Sequence, residues 1–161
     1  MKIRFATIED IPTILDLIRS IAEYEKLLDQ VAATEDILKK SLFEYKSAEV
    51  LIGEVDHKPI GFALFFHNFS TFTGKRGLYL EDLFIIPQYR HQGYGKLFFA
   101  KLAEIAIQRD CGRMEWICLD WNQPSIDFYK NKIKAIPLDE WTVYRVTAEQ
   151  FQDIIHECEN R

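Results

Sequence analysis

The sequence predicts an α/β (α+β) fold: one mixed, mainly antiparallel central sheet flanked by helices. Three observations predict it. Apolar residues recur at helical spacing near the start, the middle and the end of the chain. Between the first two helical stretches and the third lie three β-rich runs in succession, as in a meander. No linker, repeat or low-complexity stretch interrupts the 161 residues, and 48% of them are hydrophobic, ample for one core. A single domain spanning residues 1–161 is the expectation.

The elements follow in order. Residues 2–6 read as a short strand. Thr7-Ile8-Glu9-Asp10 then sets a hydroxyl three residues before an acid, a helix-start pattern. Ile11, Ile14, Leu15, Ile18, Ile21 and Ala22 give the following helix one apolar face, with Pro12 early enough to be tolerated. Thr34-Glu35-Asp36 opens a second helix with Ile37, Leu38 and Leu42 inward. The period changes at Ala48. Residues 48–55 and 60–67 form two strands around Asp56-His57-Lys58-Pro59, and residues 78–86 form a third that Pro87 ends.

Residues 95–109 are a strong helix with Phe98, Leu102, Ile105 and Ala106 on one side. Residues 113–119 read as a strand, and Asn122-Gln123-Pro124-Ser125 starts a short helix through Tyr129 and Lys130, with Pro124 in its first turn. Residues 141–146 read as a last strand and 148–157 as a closing helix. The cluster Phe62, Phe65, Phe66, Phe69 and Phe72 reads as core and loop packing.

Composition narrows the function classes. A net charge of −5 argues against nucleic acid, which rewards a basic face. No apolar run is long enough to span a membrane, and no secretory signal opens the chain, so a cytoplasmic protein is expected. Cys111, Cys118 and Cys158 are odd in number and form no C-x-x-C pair, so reduced thiols are expected rather than a disulfide framework. His57, His67, His91 and His156 lie far apart in sequence, so no metal site is expected.

The chemistry-bearing stretch runs from Leu78 to Lys96. A hydrophobic strand enters a loop, Arg90-His91-Gln92-Gly93-Tyr94-Gly95, and a helix begins at its second glycine. Glycines admit a ligand close to the backbone, and free amides at a helix start suit an anion such as a pyrophosphate. Two nucleotide motifs fail here. The P-loop pattern meets Arg90 at its leading glycine and Leu97 after Gly95-Lys96, and the G-x-G-x-x-G pattern meets Phe98 at its third glycine. What remains is R-x-x-G-x-G, which taken alone is also an ordinary loop-to-helix turn.

With the strand before it and the helix after it, that loop resembles the acetyl-CoA loop, (R/Q)-x-x-G-x-(G/A), of the GNAT superfamily of N-acetyltransferases. Tyr79-Leu80-Glu81-Asp82, the run from Trp121 through Asn122-Gln123-Pro124-Ser125 to Phe128-Tyr129-Lys130, and Tyr24-Glu25 are similar to the spermidine/spermine (diamine) N-acetyltransferase group, which includes thialysine-acetylating relatives. The resemblance spans nearly the whole chain. It implies a GNAT-like sheet, acetyl-CoA as co-substrate and a homodimer. It does not fix the acceptor: a small-molecule amine, a polyamine or small diamine, leads, with an amino acid, a drug or a protein amine, or a non-catalytic acyl-CoA-binding module, as the alternatives. It further implies that backbone at Leu83, Phe84 and Ile85 pairs with the pantetheine arm, and that Arg90, His91, Gln92, Gly93, Tyr94, Gly95 and Lys96 hold the pyrophosphate. Asn122, Pro124, Ser125 and Lys130 would flank the other side of CoA. Tyr129 matches the general acid and Glu81 the water-linked general base, while Tyr24, Glu25 and Glu81 match acceptor-side positions.

The chain departs from the pattern twice. Ile133 stands where the group often has glycine, four residues after the tyrosine, so the loop there must take another shape. A tryptophan expected before the central strand is missing, with Phe72 or Thr73 nearby.

The residue types suit amine acetylation. A primary amine with a pKa near 10.4 is neutral in only about one part in 2,500 at pH 7. A carboxylate such as Glu81 can take its proton, a strand amide near Leu83 can receive the oxyanion, and Tyr129 can protonate the departing thiolate. No covalent enzyme intermediate is needed, so Cys111 and Cys118 have no assigned role. On an ideal strand Glu81 and Asp82 point to opposite faces, so Asp82 is expected to be structural. Tyr24-Glu25 reads equally well as a solvated helix end with a core aromatic.

Overall fold

A computed structural model describes residues 1–159. Its centre is a five-stranded sheet in the order β1 (Lys2–Phe5), β2 (Glu49–Val55), β3 (Lys58–Ser70), β4 (Lys75–Ile85) and β5 (Met114–Glu115). The first three pairings are antiparallel and β4 meets β5 in parallel. The sheet is thus mixed and mainly antiparallel, as the sequence predicts.

β1 is held by charge as well as by its ladder. Arg4 bonds Asp10 at 2.7 and 2.8 Å and Glu54 at 2.8 Å, and the guanidinium draws the Asp10 carboxyl down to about 2. Asp10 also accepts the Thr7 amide at 2.7 Å, so the predicted helix-start pattern does form. Helix α1 (Ile11–Tyr24) follows, then the short α2 (Glu35–Leu38), which continues as a π-helical turn over Lys39–Glu44.

Two cores sandwich the sheet. Ile14, Leu15 and Leu17 of α1 pack on Val50, Ile52, Phe62 and Phe84. On the opposite face Phe98, Leu102 and Ile105 of α3 (Tyr94–Gln108) pack on Leu51, Phe65, Leu78 and Leu80. Strand alternation accounts for most of this division, since neighbouring side chains take opposite faces. β4 breaks the alternation. Leu78 and Leu80 face α3, yet Phe84, also even-numbered, faces α1. The cause is a bulge: Phe65 pairs with Leu80 and Leu64 with Asp82, so Glu81 is the extra residue.

The second half departs from the sequence reading. The strand expected over residues 113–119 is regular only at Met114–Glu115, because β4 and the following chain diverge after Tyr79 pairs with Glu115. The strand expected over residues 141–146 is not formed; those residues carry no regular structure and are exposed, with no strand beside them among the described residues. α4 (Gln123–Phe128) ends in a π-helical turn over Tyr129–Ile133, and α5 (Phe151–Glu159) is the closing helix. Phe62 and Phe65 are buried as expected, whereas Phe69 and Phe72 are exposed at the β3–β4 turn, Phe72 almost fully. Among the described residues no helix is long and apolar enough to cross a membrane, and no cluster of metal-ligating side chains occurs.

Candidate active site

The divergence of β4 from the chain after β5 opens a cleft of about 510 Å³. One wall is the second half of β4 and the turn into α3. The other is Ile117–Leu119 with α4, and the end of α1 lies across the mouth. Because β5 pairs only with Leu78 and Tyr79, no described strand covers the β4 edge beyond them. Alternate backbone groups over Leu83, Phe84 and Ile85 therefore face a ligand on that side, with the Ile85 carbonyl already accepting from Arg90.

At one end the wall turns into α3. Gly93 caps this helix with φ of 81°, a left-handed conformation that favours glycine, and nothing lies within 4 Å of where its Cβ would be. The helix's first intrahelical bond comes from the Lys96 amide to the Gly93 carbonyl at 3.0 Å, which leaves the preceding amides of the turn free. Gly95 serves a different purpose. A Cβ there would meet the Phe128 ring at 3.2 Å, so this glycine lets α3 and α4 approach. His91, Tyr94 and Lys96 also line the cleft here, joined by Lys132 from the far wall.

Arg90 lines the cleft but is engaged by the protein. Its Nε donates to the Ile85 carbonyl at 2.8 Å, and its guanidinium sits 4.6 Å from the centre of the Tyr24 ring and 5.3 Å from that of Phe84. Gln92 and Lys130 are exposed and do not line the cleft. Asn122, Pro124 and Ser125 do. The Asn122 side chain is buried and caps α4, accepting the Ser125 amide at 3.4 Å and the Tyr24 hydroxyl at 3.0 Å.

The opposite end is acidic. Glu25, Glu81 and Asp82 all line the cleft, because the bulge at Glu81 cancels the alternation that would have parted the last two. Burial, with the neighbouring charges of Glu81 and Glu25, pushes the Asp82 carboxyl up to about 6. Burial also raises Glu25. Tyr129 lies among Trp116, Phe128 and Phe99, with ring centres 5.2, 5.6 and 5.9 Å away, and burial followed by nearby acidic groups holds its phenol well above the ordinary range. At neutral pH it is a protonated donor facing an acidic chamber.

Several lining residues were not among those the sequence singled out: Ile21, Cys118, Leu119, Phe128 and Lys132. Lys132 had a usable signal, since it follows Tyr129 by one helical turn. Cys118 had none; its thiol bonds the Leu119 carbonyl at 3.6 Å and is pushed up by burial. The turn that contains Ile133 ends at Lys134, which is left-handed with φ of 63°.

A sequence model of the Acetyltransferase (GNAT) family matches residues 12–132. The chain belongs to this family. It is an acetyl-CoA-dependent N-acetyltransferase acting on amines. The thialysine N-epsilon-acetyltransferase of Bos taurus is 36% identical over 166 residues, covering 96% of this chain and 96% of that one. The spermidine/spermine N(1)-acetyltransferase-like protein 1 of Homo sapiens is 33% identical over 167 residues, covering 97% of this chain and 24% of its own length. The fold has a solved counterpart in an integron cassette protein of V. cholerae, with a TM-score of 0.79, 24% identity and 96% coverage of both chains.

Proposed function

We propose that this N-acetyltransferase acts on the terminal primary amine of a small polyamine, diamine or diamine-like molecule, binding it with acetyl-CoA in a ternary complex. The observation that carries this reading is the acidic end of the cleft. Glu25, Glu81 and Asp82 converge there, and none has an ion-pair partner among the described residues. Raised Asp82 and Glu25 carboxyls mean that ionisation is disfavoured until a cation arrives. An acceptor with two ammonium groups meets that demand better than one with a single charge. The names of the relatives agree, since thialysine and spermidine each carry a primary amine on a short flexible chain with a second amino group along it.

We assign acetyl-CoA to this cleft, with Gln92 and Lys130 of the positions implied by the resemblance lying outside it. The open β4 edge at Leu83, Phe84 and Ile85 matches an amide-bearing arm, and the Gly93 turn with Lys96 and Lys132 matches a diphosphate. Acetyl-CoA supplies the activated thioester carbon. The family resemblance implies Glu81 as the base; we assign the proton to Asp82 instead, because burial beside Glu81 and Glu25 raises its carboxyl to about 6, suited to taking a proton from an ammonium near neutral pH. Glu81, exposed on the bulge, then holds the acceptor's second charge. The neutral nitrogen forms the new amide as the carbon–sulfur bond breaks, and one proton passes from nitrogen to sulfur. Tyr129 donates a hydrogen bond to that sulfur as charge develops on it.

Thiol release from acetyl-CoA across an amine panel tests this directly. We expect 1,4-diaminobutane and spermidine to exceed butylamine by at least about tenfold in kcat/KM. Preference for butylamine or for a bulky aminoglycoside overturns the acceptor assignment. Comparing 1,4-diaminobutane with ornithine, the same skeleton bearing a carboxylate, separates a diamine enzyme from an amino-acid enzyme.

The Gly93 turn gives a second test. In the free protein Gly93→Ala has room for its methyl group and costs about 1–2 kcal/mol for the left-handed backbone. With the diphosphate seated on the turn the methyl is in the way, so acetyl-CoA affinity should fall about tenfold or more by titration. Unaltered affinity would move the diphosphate elsewhere.

The assembly we propose is a homodimer in the cytoplasm, where the free Cys111, Cys118 and Cys158 stay reduced. Ile136, Leu138, Trp141, Val143, Tyr144 and Val146 are all more than half exposed, and a second copy is the partner that would cover them. Light scattering should report a dimer for the native chain and a monomer for a Trp141→Glu/Tyr144→Glu variant. A monomeric native chain would contradict the dimer.

A further inference from the structure

Tyr24 ends α1, and its hydroxyl donates a 3.0 Å hydrogen bond to Oδ1 of Asn122, 98 residues away. The same oxygen accepts the Ser125 amide at 3.4 Å and so caps α4, and Asn122 is only 6% exposed. The Tyr24 ring carries the Arg90 guanidinium at 4.6 Å and has Trp121 at 6.0 Å. Arg90 is in turn tied to the Ile85 carbonyl of β4 at 2.8 Å. These contacts form a continuous chain from one wall of the cleft to the other. The sheet does not hold the walls together there, since β4 and β5 pair only at Leu78–Met114 and Tyr79–Glu115.

We infer that Tyr24 is a positioning residue: a strut whose hydroxyl fixes the separation of the two walls, and with it the distance from Tyr129 on the α4 side to Asp82 on β4. Both ends of the strut are anchored. Asn122 begins the segment that leads through α4 to Tyr129, and Arg90 bonds the strand that carries Asp82. The Tyr24 hydroxyl is already committed to Asn122, so its role as a strut needs no contact with the acceptor. Misplacing reacting groups by about 1 Å costs up to a hundredfold in rate, which makes such a strut consequential.

The test is a double-mutant cycle on Tyr24→Phe and Asn122→Ser. Phenylalanine keeps the ring against Arg90, and serine still caps α4 but is too short to reach the phenol. Each single variant should lose about tenfold in kcat with KM for the amine within about twofold, and the double variant should lose the same tenfold, not a hundredfold. Acetyl-CoA affinity without any amine, followed by tryptophan fluorescence, should show the same non-additivity at about threefold per variant. The inference rests on the amine-transfer reading for its kcat readout alone. If no amine is turned over, that reading fails while the affinity cycle still decides the strut. Losses that multiply in the double variant, or a Tyr24→Phe protein matching the native one in both readouts, would overturn it.

Discussion

Replacing Tyr129 by phenylalanine should lower kcat about a hundredfold or more while leaving acetyl-CoA affinity within about threefold. The magnitude is that of a lost general acid or hydrogen-bond donor to a developing anion. The selectivity follows from the surroundings. Phenylalanine preserves the packing on Phe99, Trp116 and Phe128, so neither fold nor cleft changes shape. Burial and nearby acids keep the phenol protonated far above neutral pH, so its ionisation should not add an alkaline limb to the rate below pH 10. Steady-state kinetics and a binding titration check both halves, and unchanged turnover would remove Tyr129 from the chemistry.

Asp82→Asn should lose most turnover and gain stability at neutral pH. In the folded chain the Asp82 carboxyl titrates near 6, against an ordinary 3.8. A raised carboxyl binds its proton more tightly when folded, so the native state is favoured below about pH 4 and penalised as pH rises through 6. Above that point the penalty is about 3 kcal/mol, and asparagine removes it. The variant should therefore melt several degrees higher than the native protein at pH 8, with the difference vanishing near pH 4. The same titration governs activity in the opposite sense: kcat/KM of the native enzyme should rise through an acid limb near pH 6, and the limb should be absent in Asp82→Asn. Should Glu81→Gln abolish the limb while Asp82→Asn retains it, the proton belongs to Glu81.

The contrast between Glu81 and Asp82 shows where the sequence was legible and where it was not. Strand periodicity placed β2, β3 and β4 within a few residues, and the start of α1 was readable from Thr7 and Asp10. Alternation then assigned Glu81 and Asp82 to opposite faces, and a bulge of one residue undid that assignment. A bulge is a property of pairing between two strands, so one strand's sequence does not contain it. Glycine spacing located the turn before α3, but it did not say that Gly93 faces open space while Gly95 admits Phe128. Arg90 reads as an anion ligand beside two glycines; its stacking on Tyr24 depends on α1, far away in sequence. The 141–146 segment has strand composition but no strand to pair with among the described residues, and composition cannot supply one.

The central claim is that a thioester carrier lies along the free edge of β4 with its diphosphate on the Gly93 turn. A crystal structure with bound CoA measures this most directly. It should place the diphosphate within hydrogen-bond distance of the amides around Gly93 and the sulfur beside the Tyr129 hydroxyl, with the arm against Leu83, Phe84 and Ile85. A carrier bound outside the cleft, or a sulfur remote from both Tyr129 and Asp82, would contradict the account.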